Sequence, residues 1–108
     1  MIPTNDENVL FPLLTILEDG QYHTLEECID KLRISFKTTN EEFSEKYNDK
    51  SPPSKTKFKT RIKSAISKTR KRKLLENEIN KKAEFRITKN GLKQLYLLRG
   101  LKKKKILT

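Results

Sequence analysis

Between residues 51 and 75 the chain carries no acidic side chain, while Phe58, Ile62, Ala65, Ile66 and Thr69 recur three and four residues apart. That spacing traces one face of an α-helix, so Lys55 to Lys73 sets a narrow apolar stripe against a core and turns everything else outward. On a helical wheel the far side holds Thr60, Ser64, Ser67 and Lys71, flanked by Lys57, Lys59, Lys63 and Arg70. Like charges four apart, such as Lys55 with Lys59 and Lys59 with Lys63, repel by about a few tenths of a kcal/mol each. A helix that needed only solubility would mix the signs; this one is arranged to face a polyanion. Short hydroxyl side chains at the centre let it approach base edges, and the long cations on both flanks reach phosphates.

The rest of the 108 residues must supply the surface against which this stripe packs, which bounds the chain to one domain. Val9, Leu10, Leu13, Leu14, Ile16 and Leu17 predict a first helix over 7–19, with Pro12 kinking or restarting it and Gly20 ending it. Thr24 and Glu27 have capping-box spacing and open a second helix over 25–36, with Leu25, Ile29, Leu32 and Phe36 on one face. Cys28 reads as a small apolar residue beside that face, and His23 as an unpaired residue of a polar turn. Thr39 and Glu42 repeat the cap before a short helix, Asn40 to Tyr47, anchored by Phe43 and Tyr47; a loop over 48–54 follows, broken by Pro52 and Pro53. Beyond the basic helix, two alternating stretches place Leu75, Ile79, Phe85 and Ile87 on an inner face. Asn80-Lys81-Lys82-Ala83 joins them, its lysines projecting at the tip. A last helix, from Thr88 or Lys89 to Arg99, carries apolar Leu92, Leu95, Tyr96 and Leu98 and stops at Gly100. The expected fold is mainly α (α+β), a winged helix-turn-helix of three to four helices and a two-stranded hairpin wing. It spans 1–100, with a basic tail over 101–108 that is either a nucleic-acid arm or the start of a linker.

The charge divides along the chain. Residues 1–50 hold 5 Lys and Arg against 11 Asp and Glu, whereas residues 51–108 hold 20 against 3. Clustered cations are the footprint of phosphate binding, and the candidate double-stranded DNA contacts are Lys55, Lys57, Lys59, Thr60, Lys63, Ser64, Ser67, Arg70, Lys71, Lys81, Lys82 and Arg86. Lys57→Ala is then expected to weaken all duplexes alike, and Ser64→Ala to shift sequence preference. Apolar runs fall far short of the ~20 residues that cross a bilayer, and the stripe is too narrow for a helix lying on lipid. The first residues lack the basic start and apolar centre of a secretory signal, which points to the cytoplasm and, with this charge, the nucleoid. One cysteine and one histidine build neither a disulfide nor a zinc cluster, so no metal, cofactor or catalytic residue is assigned. Glu76, Glu78 and Glu84 read as solvent-facing charges of the wing rather than as a nuclease's carboxylates.

Several short motifs, in order and at consistent spacing, resemble the N-terminal domain of the Mrr-type restriction protein family. They are Phe11-Pro12-Leu13-Leu14, Leu17-Glu18-Asp19-Gly20, His23-Thr24-Leu25-Glu26-Glu27, the basic helix from Lys57-Phe58 to Ala65, Lys73-Leu74-Leu75-Glu76, and Phe85-Arg86-Ile87-Thr88-Lys89-Asn90-Gly91. The likeness covers residues 9 to 98. It implies a DNA-binding winged helix that recognises targets for a nuclease domain or subunit. The family often has a bulky aromatic in the middle of the basic helix and a glycine before the wing, where this chain has Lys63-Ser64-Ala65 and Lys73-Leu74. Two other functions fit the residues. A stand-alone transcription regulator would form a homodimer reading two half-sites. An RNA-binding or ribosome-associated protein would expose stacking aromatics, whereas the aromatics here read mostly as core.

Overall fold

Helix α1 (Asp6–Ile16) starts where Asn5 accepts a hydrogen bond from the Asn8 amide at 2.9 Å, with Asp6 and Glu7 in a first turn whose dipole favours negative charge. The structure, a computed structural model, describes residues 1–52, 55–78 and 81–107, of which 78, 81–83 and 101–107 are described for their backbone alone. Pro12 neither breaks α1 nor restarts it. The proline deletes one amide, and the burial of Val9, Leu10, Leu13 and Leu14 holds the helix through that loss. The helix ends earlier than the apolar spacing suggests, and Gly20 turns the chain at φ +75°.

Strand β1 (His23–Thr24) follows, then α2 (Leu25–Ser35), α3 (Asn40–Ser44), α4 (Lys57–Lys71), strands β2 (Leu75–Glu78) and β3 (Lys81–Ile87), and α5 (Lys89–Leu107). The architecture is α+β and winged-helix-like in its order, with five helices and a three-stranded antiparallel sheet among the described residues. The sheet has one strand more than the expected hairpin: β1 pairs with β3 through His23↔Phe85 and Thr24↔Glu84, giving the order β1-β3-β2. β3 begins at Lys81, so Lys81 and Lys82 belong to the strand rather than to its connection; Ile79 and Asn80 lie outside the described residues.

Caps set the helix starts. Thr24, Thr39 and Thr56 each accept a bond from the amide three residues on. Only at Thr39 is the box closed by its glutamate; Glu27 turns to His23 instead. Both ring nitrogens of the buried His23 meet carboxylates, Nδ1 with Glu27 at 2.8 Å and Nε2 with Asp19 at 3.0 Å. The expectation of an unpaired histidine is therefore overturned, because pairing with β3 carries His23 inward between two acids that lie four residues away on either side. Tyr47 and Tyr96 are corrected the other way: they are 61% and 57% exposed. α3 stops at Ser44, before Tyr47 can join its face.

One core joins all layers. α1 packs on α2, α4 and α5, and Leu13, Leu14, Ile29, Leu32, Phe58, Ile62, Leu75, Phe85, Ile87 and Leu95 are buried together, with Cys28 among them. Each large side chain there contributes about 1.5–3 kcal/mol. Thr88 fastens α5 to the sheet: its hydroxyl donates to the Lys73 carbonyl at 2.8 Å and accepts from the Gly91 amide at 3.0 Å. A Cβ on Gly91 would stand 2.3 Å from the Leu74 carbonyl oxygen, so the approach requires glycine. Gly100 does not end α5, which runs on to Leu107. Glycine stops a helix by turning left-handed, and Gly100 has no positive φ between flanking leucines and lysines that favour helix.

Candidate nucleic-acid interface

Helix α4 buries Phe58, Ile62, Ala65, Ile66 and Thr69, the full stripe, and the Thr69 hydroxyl is satisfied by the Ala65 carbonyl at 2.7 Å. Thr60, Lys63, Arg70 and Lys71 are exposed on the opposite side around a half-buried Ser67, with exposed Lys55 and Lys73 at the two ends. Arg70 donates to Asn77 Oδ1 at 2.9 Å, tying the last turn of α4 to β2.

Lys57, Lys59, Ser64 and Arg86 have partners within the fold. Lys57 is held by Glu45 at 2.9 Å. Lys59 lies over the Phe43 ring, 5.4 Å from its centroid, and Phe43 packs in turn on Phe58 at 5.6 Å. Ser64 faces Asp6 at 3.5 Å, so it is not the centre of the open face; Ser67 is. Arg86 pairs with Glu76 at 2.5 Å and lies over Tyr22, 4.8 Å from the ring. Alternation along β3 puts Arg86 on the sheet face opposite buried Phe85 and Ile87, away from α4. Glu76 faces solvent, as expected of the wing, and pairs there with Arg86. The side chains of Lys81 and Lys82 lie outside the described residues.

Three cations that the wheel left out meet the first turn of α1. Arg61 reaches Asp6 at 3.4 Å, Lys68 pairs with the same carboxylate, and Arg72 stands 3.7 Å from Glu7. The Lys68 ammonium, against an opposing penalty from burial and with help from Arg61, holds the Asp6 carboxyl below the ordinary carboxylate range. Arg61, Ser64 and Lys68, three and four apart, form a strip that acid covers. The signal was in the sequence as that spacing together with the Asp6-Glu7 pair, but nothing local joins segments so far apart.

Among the described residues no group of three His, Cys, Asp or Glu side chains is placed to hold a metal ion. Burial pushes the Cys28 thiol up to about 12, so it stays protonated. With both nitrogens on carboxylates, His23 has none left to take a proton from a nucleophile. No helix among the described residues is long and apolar enough to cross a membrane.

The family model of the Mrr N-terminal domain matches residues 7–96. The chain belongs to the Mrr N-terminal domain family. No curated protein and no solved structure matches it. The match makes this a restriction-system-related domain, and it runs from the first turn of α1 through the sheet and all of α4 to Tyr96 in α5.

The two departures of this Mrr N-terminal domain from its relatives now have a structural meaning. Where the resemblance expects glycine before the wing, Lys73 takes φ +61°. Its amide bonds to the Arg70 carbonyl at 2.9 Å and the Leu74 amide to that of Thr69 at 3.2 Å, a Schellman ending that turns α4 into β2. Where an aromatic is expected in mid-helix, Ala65 is buried and Ser64 faces α1, leaving the centre of the open face to small side chains.

Proposed function

We propose that this Mrr N-terminal domain binds double-stranded DNA as a target-recognition module of a restriction or modification-sensing system, without catalytic chemistry of its own. The observation that carries the reading is the two-sidedness of α4: one face is wholly buried, the other exposes Lys63, Arg70 and Lys71 around Thr60 and Ser67, and the acids of α1 line only one flank. Short polar side chains suit close approach to base edges, and cations at the rim suit the two phosphate strands. Arg70, tied to Asn77, fixes the last turn of α4 against β2. Cleavage falls to a nuclease domain or subunit, since His23 and Cys28 are committed to the fold.

The test is selection from a randomised duplex pool at ~0.15 M salt, with methylated and unmethylated copies and an RNA competitor. Enrichment of one duplex motif is expected. Lys63→Ala and Lys71→Ala should weaken every duplex similarly, whereas Thr60→Ala and Ser67→Ala should alter which duplex is enriched. The exposure of Tyr47 and Tyr96 gives the RNA reading a footing that it lacked in the sequence. RNA that displaces duplex at equal concentration would replace the present reading with that one.

A further inference from the structure

The connection between α3 and α4 runs over residues 45–56, far longer than the turn of about 3–4 residues that usually precedes a recognition helix. Its first residues are fastened back onto the start of α4. Lys46 and Thr56 form an isolated antiparallel bridge, the Lys57 amide donates to the Glu45 carbonyl at 2.8 Å, and the Lys57 ammonium reaches the Glu45 carboxylate at 2.9 Å. Tyr47 comes directly after this clasp and is 61% exposed, with the Lys57 ammonium 5.8 Å from its ring centroid. A large aromatic is thereby presented beside the first turn of α4 at a position fixed by backbone hydrogen bonds. The sequence pattern made it a helix anchor; the fold leaves it bare.

We propose that Tyr47 stacks on a nucleobase displaced from the duplex at the edge of the α4 footprint, so that the domain senses a locally unstacked step as well as groove edges. This rests on the duplex-binding reading given above. An exposed aromatic face beside a nucleic-acid-binding helix is suited to base stacking, because the ring accepts any base; Lys57, held by Glu45, lies over the Tyr47 ring. The N-terminal part of a recognition helix is also the end that meets bases. Weakly paired or easily unstacked steps cost least to open, so the contact adds preference for deformable sequence.

The experiment compares wild type, Tyr47→Ala and Tyr47→Phe, all full-length, on a fluorescent duplex of the sequence enriched from the pool, or of mixed sequence where none is enriched. Affinity is read together with permanganate reactivity of thymines, which reports unstacking. Tyr47→Ala should keep the wild-type melting temperature, bind roughly 5- to 100-fold more weakly and abolish a reactive thymine seen with wild type. Tyr47→Phe should behave as wild type on both readouts. Wild-type binding by Tyr47→Ala overturns the inference while leaving duplex binding standing, provided that Lys63→Ala and Lys71→Ala still weaken it. Phenylalanine failing as badly as alanine overturns it too, since the hydroxyl rather than the ring would then make the contact. Failure of wild type to bind any duplex overturns both readings.

Discussion

Lys73 occupies the left-handed region at φ +61°, and Lys37 does the same at φ +51° after α2. Both close Schellman endings, the second through Lys37 to Ile34 at 3.1 Å and Thr38 to Arg33 at 3.0 Å. A side chain in that region costs about 1–2 kcal/mol, which glycine does not incur. Lys73→Gly should therefore raise unfolding stability by about 1 kcal/mol after its larger loss of chain entropy, read in urea melts, while Lys73→Ala should bring no gain. A lysine kept where glycine is easier argues that its charge is useful at the junction of α4 and the hairpin. His23 gives a pH-dependent counterpart. Burial pushes the imidazole down, but bonds to Asp19 and Glu27 more than offset this and raise its pKa above 6.5. A raised folded pKa makes the charged ring fully stabilising below the unfolded value, and that contribution is lost as pH climbs through the folded one. Unfolding free energy should thus decline as pH rises above about 6.5, and His23→Gln should flatten that slope. A wild-type profile as flat as the variant's would show that the carboxylates do not favour the charged ring.

Helices were the most legible elements, and the reason is local. α2 announces itself by a threonine cap and both α2 and α4 by apolar residues three and four apart, and both fall within a residue or two of the expected bounds. β1 has two residues, too few for any periodicity, and forms only because β3 offers a free edge sixty residues on. The open face of α4 was likewise readable from a wheel, whereas its flank was not. The wheel puts Ser64 on the outward face and leaves Arg61 and Lys68 unplaced, and only the packing of α1 across α4 brings Asp6 over all three. That acid sets an element-scale prediction. Asp6→Asn should release Arg61 and Lys68 toward phosphate, tighten binding to unrelated duplexes alike, and steepen the dependence of log K on log salt by about 1–2. Unchanged binding with unchanged melting temperature would mean that the strip lies outside the DNA footprint.

At the scale of the whole molecule, the division into an acidic and a basic half is answered in part inside the fold. Among the described residues, cations of the second half pair with acids of the first: Lys57 with Glu45, Arg61 and Lys68 with Asp6, Arg72 with Glu7, and Arg99 with Glu18, which clasps α5 to the turn after α1. Arg86 is held within the hairpin. The net charge of +11 therefore overstates what α4 can offer a polyanion. Around its open face the exposed cations are Lys55, Lys63, Arg70, Lys71 and Lys73. Each phosphate they neutralise releases condensed counterion, so a salt titration counts them. Duplex binding followed by anisotropy should show a slope of log K on log salt of about −4 to −5, against about −18 if all twenty cations of the second half took part. A slope shallower than about −2 would remove α4 from the interface. One approaching −18 would mean that the ion pairs between the halves open on binding, and Asp6→Asn would then leave the slope unchanged.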